Sequence, residues 1–242
     1  MKRRVKDLLG YTIRAKDGDI GHVKDFYFDD VTWVLRYLVA DTGKWLPGRK
    51  VLLSPNALEK PDWDNMVFPV NLTMNKVENS PGIDEHKPVS RQHESRLFKY
   101  FGWQPYWGTG MQAGAIPIPM PSPNDNKKAE IETETNLRST REIIGYHIEA
   151  TDGDIGHIDD VIIDDTDWNI RYLVAETRNL LPGKKVIIST DWIENIDWSE
   201  KKVRIGLLRE AVKNSPEFNP SVDVDKEFEA ETFDHYGKLI NW

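Results

Sequence analysis

Asp17-Gly-Asp-Ile-Gly-His22 returns as Asp152-Gly-Asp-Ile-Gly-His157, an offset of 135 positions. At the same offset Arg36-Tyr-Leu-Val-Ala40 meets Arg171-Tyr-Leu-Val-Ala175, and Leu46-Pro-Gly48 meets Leu181-Pro-Gly183. Carried outward without a gap, the match sets Leu8 to Gly102 on Ile143 to Gly237, with about 38 identities in 95 positions. A period this long marks a duplicated domain and not a solenoid, whose units run about 20 to 50 residues. Every matched position is therefore read twice.

Asp17-Gly18 lies between two short runs rich in β-formers, Tyr11–Ala15 and Ile20 to about Phe28, which is the strongest local hairpin signal. Asp29-Asp-Val-Thr32 marks a second turn, because short polar side chains bond back to their own backbone. Trp33–Thr42 then reads as a strand with Leu35, Tyr37 and Val39 on its buried face, since the copy keeps Ile170, Tyr172 and Val174 while replacing Val34 by Asn169. Further strands are expected at Val51–Ser54 and Met66–Leu72, with Thr73 capping one helical turn. Ser90 reads as the N-cap of a helix from Arg91 to Phe101 that stops at Gly102, and its copy runs from Asp225 to Tyr236. Five or six short strands in about 75 residues predict a small closed or nearly closed barrel. The fold class expected is mainly β: two small barrels in tandem, each followed by a short α-helix.

The division that follows is 1–102 for the first unit with its helix, 103–136 for a Pro/Gly-rich linker, and 137–242 for the second unit with its helix. The linker's composition predicts an extended segment, on the order of 30 Å as a coil. The 242 residues carry a net charge of −8, split as +3 over residues 1–102 and −9 over 137–242. Such a balance argues against direct nucleic-acid binding, which needs a basic face. It allows complementary units to attract, within one chain or in a homodimer. There is no cysteine, which removes disulfides, thiolate catalysis and Cys-ligated metals together and fits a reducing compartment. The basic N-terminus has no apolar run behind it, and no stretch approaches the roughly 20 apolar residues of a membrane helix, so a soluble, cytoplasmic protein is expected.

The set Gly-Tyr-x-Ile-x-Ala-x-Asp-Gly-Asp-Ile-Gly-His, then Asp-Asp, then Trp-x-x-Arg-Tyr-Leu-Val-Ala and Leu-Pro-Gly resembles the PRC-barrel family over residues 5–80 and 140–215. That family takes its name from the cytoplasmic domain of the photosynthetic reaction-centre H subunit and includes the C-terminal domain of the ribosome-maturation factor RimM. The resemblance implies protein binding and assembly, and brings no catalytic residues. Within these 242 residues neither the H subunit's membrane helix nor the ribosome factor's companion domain is recognisable.

Candidate chemistry is thin. Asp17, Asp19, Asp29 and Asp30, with Asp152, Asp154, Asp164, Asp165 and Asp167, lack EF-hand spacing, and turn chemistry accounts for them. His22 and His157 match, but no second matched nitrogen ligand lies near them in sequence. Ser54 and Ser189 show no elbow or base. No catalytic, cofactor or metal site is assigned, and no cofactor is expected. The residues singled out for partner binding are Arg36 and Arg171, as anchors for a carboxylate or as pairs of the turn aspartates, and Trp103, Tyr106 and Trp107. Those aromatics follow the repeat and either dock into a groove or cover the first barrel's rim.

The function expected is a non-catalytic protein-binding or assembly scaffold with a protein partner. The alternatives are a small-ligand or metal-ion sensor using the inter-barrel cleft, a favoured place for pockets, and a reaction-centre H-subunit-like role in a photosynthetic or other membrane complex, attached peripherally. A metal-assisted hydrolase using the aspartates is weighed too. Duplication counts against it, since an enzyme usually keeps one intact site and neither copy holds a convincing constellation.

Overall fold

The computed structural model describes residues 1–43, 45–47, 49–83, 89–107, 136–177 and 184–239. The first half contains β1 (Lys2–Arg4), α1 (Val5–Leu8), β2 (Thr12–Ala15), β3 (Gly18–Asp29), β4 (Leu35–Asp41), β5 (Lys50–Leu53), β6 (Val67–Pro69), α2 (Met74–Glu78) and α3 (Arg91–Phe101). The second half repeats the order as β7 (Leu137–Ser139), α4 (Thr140–Ile143), β8 (His147–Ala150), β9 (Gly153–Asp164), β10 (Asn169–Glu176) and β11 (Lys185–Ser189). It continues with β12 (Ile193–Asp197), β13 (Lys202–Ile205), α5 (Arg209–Asn214) and α6 (Lys226–His235). Two sheets result, ordered β5-β4-β3-β2-β6 and β11-β10-β9-β8-β13-β12.

The sequence predicts small barrels, closed or nearly closed. Among the described residues no ladder joins the outer strands β5 and β6, or β11 and β12. Each sheet is an open path bent by bulges: β3 shifts register against β4 between Val23 and Asp25, and β9 against β10 between Ile158 and Asp160. The expected face of β4 is buried at Leu35, Tyr37 and Val39, but Leu38 and Ala40 are buried as well, so that strand is covered on both sides. Trp33 and Trp168 stand before their strands with φ near +60°, and those strands begin later than their sequences suggested.

The turn chemistry has specific tasks. Asp17 Oδ1 accepts from the Met74 amide at 2.7 Å, and Asp152 Oδ1 from the Arg209 amide at 2.8 Å, so each hairpin caps a distant short helix. A Cβ on Gly21 would lie 2.0 Å from the Asp41 carbonyl oxygen, and one on Gly156 1.9 Å from that of Glu176. Only glycine permits that approach of two backbones. Ser90 caps α3 through the His93 amide, and Gly102 ends that helix at φ 77°.

The two halves are joined by exchange of strands, which the sequence did not suggest. β1 pairs antiparallel with β9 of the second half, and β7 pairs with β3 of the first. Arg3 reaches Asp165 at 3.6 Å and lies over Trp63, 4.4 Å from its ring centre; Arg138 reaches Asp30 at 3.2 Å and lies 4.5 Å from the centre of Trp198. The Leu35 amide donates to the Trp168 carbonyl and the Ile170 amide to that of Trp33, both at 2.8 Å. Every one of these contacts repeats at the 135-residue offset, so a pseudo-twofold axis relates the halves. Phe68 packs at 6.1 Å from Trp168 across the joint, and the buried apolar residues of both halves form one connected cluster. Phe26 and Phe28, the larger partners of Val161 and Ile163, are core residues of the first sheet.

Candidate functional site

Each half holds the same groove between its long sheet and its final helix. Arg36, Tyr37, Ser54, Glu94 and Phe98 in the first correspond to Arg171, Tyr172, Ser189, Glu229 and Phe233 in the second, all identical. Strand β4 or β10 supplies the arginine and the tyrosine, at a point where the register against the neighbouring strand shifts past the arginine. Helix α3 or α6 supplies the glutamate and the phenylalanine four residues on, one above the other on the same face.

In the first groove the Tyr37 hydroxyl donates to Glu94 Oε1 at 2.8 Å, and the Tyr106 hydroxyl donates to the same oxygen at 2.7 Å. Arg91 Nη1 pairs with Glu94 Oε2 at 2.8 Å. Burial raises the Glu94 carboxyl above its ordinary value, and the two phenols hold it back. Burial, reinforced by Glu94, raises the phenol of Tyr37 as well. Buried hydrogen bonds to a charged group of this kind hold packing in place. In the second groove the Tyr172 hydroxyl donates to Glu229 Oε1 at 2.5 Å, and Lys2 Nζ, carried in on the exchanged strand, lies 3.3 Å from that oxygen and 3.1 Å from Asp164 Oδ2. Burial would raise the Asp164 carboxyl, but its bonds from Thr166 and Lys2 outweigh that and bring it to about 2.

The grooves differ in what fills them. Trp103, Tyr106 and Trp107 fold back as a strap across α3, with ring centres 5.8, 6.1 and 4.9 Å from that of Phe98. The Arg36 guanidinium stacks 4.0 Å from the Tyr106 ring centre, and that of Arg91 4.5 Å from Trp107. Beside the strap a cavity of about 330 Å³ opens between the halves, lined by Arg36, Ser54 and Tyr106 on one side and Asp167 and Trp168 on the other. In the second half Trp192, which occupies the position of Ala57, packs on Phe233 and Tyr236 as Trp103 packs on Phe98 and Phe101. A cavity of about 250 Å³ is left, lined by Arg171, Tyr172, Ser189, Lys226, Glu229 and Phe233 among others.

The singled-out residues fall as follows. Arg36 is within 4.0 Å of Asp29 and stacks on the strap; Arg171 pairs with Asp167. Asp29 and Asp164 accept backbone amides of their own turns. Ser54 and Ser189 cap the short turns that follow their strands. His157 lies 3.5 Å from Glu176. Among the described residues no three histidine, aspartate or glutamate side chains converge on a point that could hold a metal. No helix of the described residues is long and apolar enough to cross a membrane.

The glutamates were missed as site residues. Glu94 reads as one polar position early in an amphipathic helix, yet its identity with Glu229 at the repeat offset was visible and would have marked it. The buried pair Asp25 and Asp160 was missed for the same reason. Ser139 and Thr140 donate to Asp25 at 2.5 and 2.9 Å, while Asp160 meets Arg4 and Val5 at the matching places and keeps one buried oxygen without a hydrogen bond.

A family model described as PRC-barrel domain matches residues 2–69 and 136–210, more than half of the chain. No curated protein matches the chain. Domains of this family are generally non-catalytic and take part in protein interaction and assembly. The two matched segments begin with the two exchanged strands and hold the walls supplied by the sheets. With one family model met twice along its length, the chain belongs to the PRC-barrel family, as a tandem of two such domains.

Proposed function

We propose that this protein is a non-catalytic binding scaffold, which presents two copies of one groove on a single strand-exchanged body to a protein partner. The observation that carries the proposal is the pair of grooves with five identical wall residues, of which the first receives an extended aromatic segment and the second receives none from the described residues. Preformed sheets and a shared core suit assembly, since a rigid surface loses little freedom on binding. The division into units at 1–102 and 137–242 belongs to the same proposal, with each sheet and its helix taken as one barrel unit closed by side chains. Arg36, Arg171, Trp103, Tyr106 and Trp107 are its contact residues, Arg171 the most accessible of the arginine pair. A peripheral, H-subunit-like place in a membrane complex is the narrower form of this reading. Affinity capture from the native host with the full chain should recover specific proteins that untagged chain competes away. Recovery of none across a range of salt would end the proposal.

One observation favours a second reading, a small-ligand sensor: the cavity of about 330 Å³ is lined from both halves, where ligands often bind. A ligand there should raise the melting temperature of the whole chain, and a library screen without any shift would dismiss it.

A further inference from the structure

The repeat supplies a template for what the open groove accepts. In the first half the outer part of the groove is filled by a tyrosine that follows a proline in an extended strap. Its ring lies 4.0 Å from the Arg36 guanidinium and 5.5 Å from that of Arg91, and its hydroxyl meets the buried glutamate. In the second half the same walls recur, and Lys226 keeps the cation of Arg91. The inner place of Trp103 is taken by Trp192, from the chain itself. The outer place is not taken by any described aromatic. The chain leaves α6 by the same turn, Lys238 donating to the Phe233 carbonyl as Trp103 does to that of Phe98, both at 3.0 Å. It then continues as Leu239, which is 90% exposed. The position in register with Tyr106 is Asn241, and none of the residues outside the described segments is a tyrosine.

We propose that the groove of the second half is a docking site for a tyrosine carried by an extended segment of a partner protein, its ring under Arg171 and its hydroxyl toward Glu229 and Lys2. This rests on the binding reading above and names the side chain bound. The cavity of about 250 Å³ is ample, since one of about 150 Å³ admits benzene. Charge selects the residue. Lys2, Arg171 and Lys226 line the opening together with Asp164, Asp191 and Glu229. An incoming carboxylate meets three acids, and an incoming ammonium meets three bases. A neutral phenol offers a π face to the guanidinium and a hydroxyl that both donates and accepts.

The probe is the peptide Gly-Trp-Gln-Pro-Tyr-Trp, a copy of residues 102–107, titrated into the isotope-labelled full chain and followed by amide chemical shifts. Saturable binding tighter than about 1 mM is expected, with shifts at Arg171, Tyr172 and Phe233. Replacing the peptide's tyrosine by alanine, or Arg171→Ala in the protein, should each weaken binding about tenfold. Arg171 is half-exposed, so its variant is expected to fold, and an unchanged spectrum elsewhere verifies this. No saturable shift overturns the inference, as do shifts confined to the first half. Binding that appears only in Trp242→Ala assigns the groove to the chain's own terminus and overturns it too. So does a dimer that the peptide dissociates, which assigns the groove to a second copy. The two proposals fail separately: partners still captured by Arg171→Ala leave the scaffold standing without this site, whereas peptide binding with no captured partner does the reverse.

Discussion

Val34 and Asn169 occupy the same position in the two copies, and they face each other in an antiparallel bridge. A residue that meets its own counterpart lies on the symmetry axis, which here passes through one chain and not between two. On either side the exchanged strands β1 and β7 extend the opposite sheets. Duplication has thus produced an internal dimer whose halves complete one another.

The first prediction concerns that exchange. Deleting residues 1–4 removes β1 and with it Arg3 and Lys2, leaving the β9 edge without its partner strand and Glu229 with its Tyr172 bond but without its cation. The second half should lose more stability than the first, by several kcal/mol, since a buried carboxylate left unpaired costs about 3 kcal/mol or more. Hydrogen exchange at Ile162–Asp164 should quicken while Ile13 and Gly21 stay protected. Equal loss in both halves would contradict it.

Asp160 is the second. It is fully buried, and burial raises its carboxyl from 3.8 to about 6 despite bonds from the Val161 and Lys6 amides. A raised carboxyl favours folding below its unfolded value, and that contribution is lost as pH climbs through the folded value. Asp160 should therefore cost stability progressively between about pH 4 and 6 and level off above, by at most on the order of 3 kcal/mol. Asp160→Asn should be more stable than the parent at pH 7 and nearly equal to it at pH 4. Val5→Thr, which copies the Thr140 that serves Asp25, should recover part of the same gain. Urea midpoints at the two pH values test both.

Tyr37 is fully buried with its hydroxyl on Glu94. Tyr37→Ala should cost about 3 to 5 kcal/mol as a large aromatic cavity. Tyr37→Phe should cost about 1 to 3, because it strips one donor from a buried carboxylate. Denaturation that finds the phenylalanine variant neutral would show that the hydroxyl contributes nothing there.

The glycines of the quoted motif should differ in rank. Gly21→Ala drives a Cβ against a backbone carbonyl at 2.0 Å, which no side-chain rotation relieves. Gly18→Val meets the flexible end of Met74 at 2.6 Å, with φ at +155°. The first should cost several kcal/mol and the second on the order of 1 or somewhat more. Thermal denaturation of both variants orders them.

Trp103 and Trp192 fill equivalent space from different places in the chain, the one after its helix and the other from the position of Ala57. Trp103→Ala should destabilise by about 3 to 5 kcal/mol. Adding Ala57→Trp should restore a good part of that, while Ala57→Trp alone should overpack. Purely additive effects in the double mutant would disprove the shared space.

The sequence by itself determined what is local or periodic. The offset of 135 residues announced the duplication, Asp17-Gly18 the hairpin, Ser90 and Gly102 the ends of α3, and the motif set the family. Each is a short-range pattern that the backbone obeys wherever it occurs. The tertiary structure decided what joins distant segments. Lys2–Arg4 and Leu137–Ser139 are three-residue strands of mostly polar side chains, too short to carry a period, and only Arg3 and Arg138 repeat between them. Which sheet such a strand extends is settled by the open edge it meets. The Tyr37–Glu94 bond spans 57 residues, and its meaning arises when helix and strand pack. Whether Tyr106 covers a rim or seeks a partner turned on the same packing: the strap closes over its own helix, while in the copy Trp192 fills the place of Trp103 and no described aromatic takes the outer one.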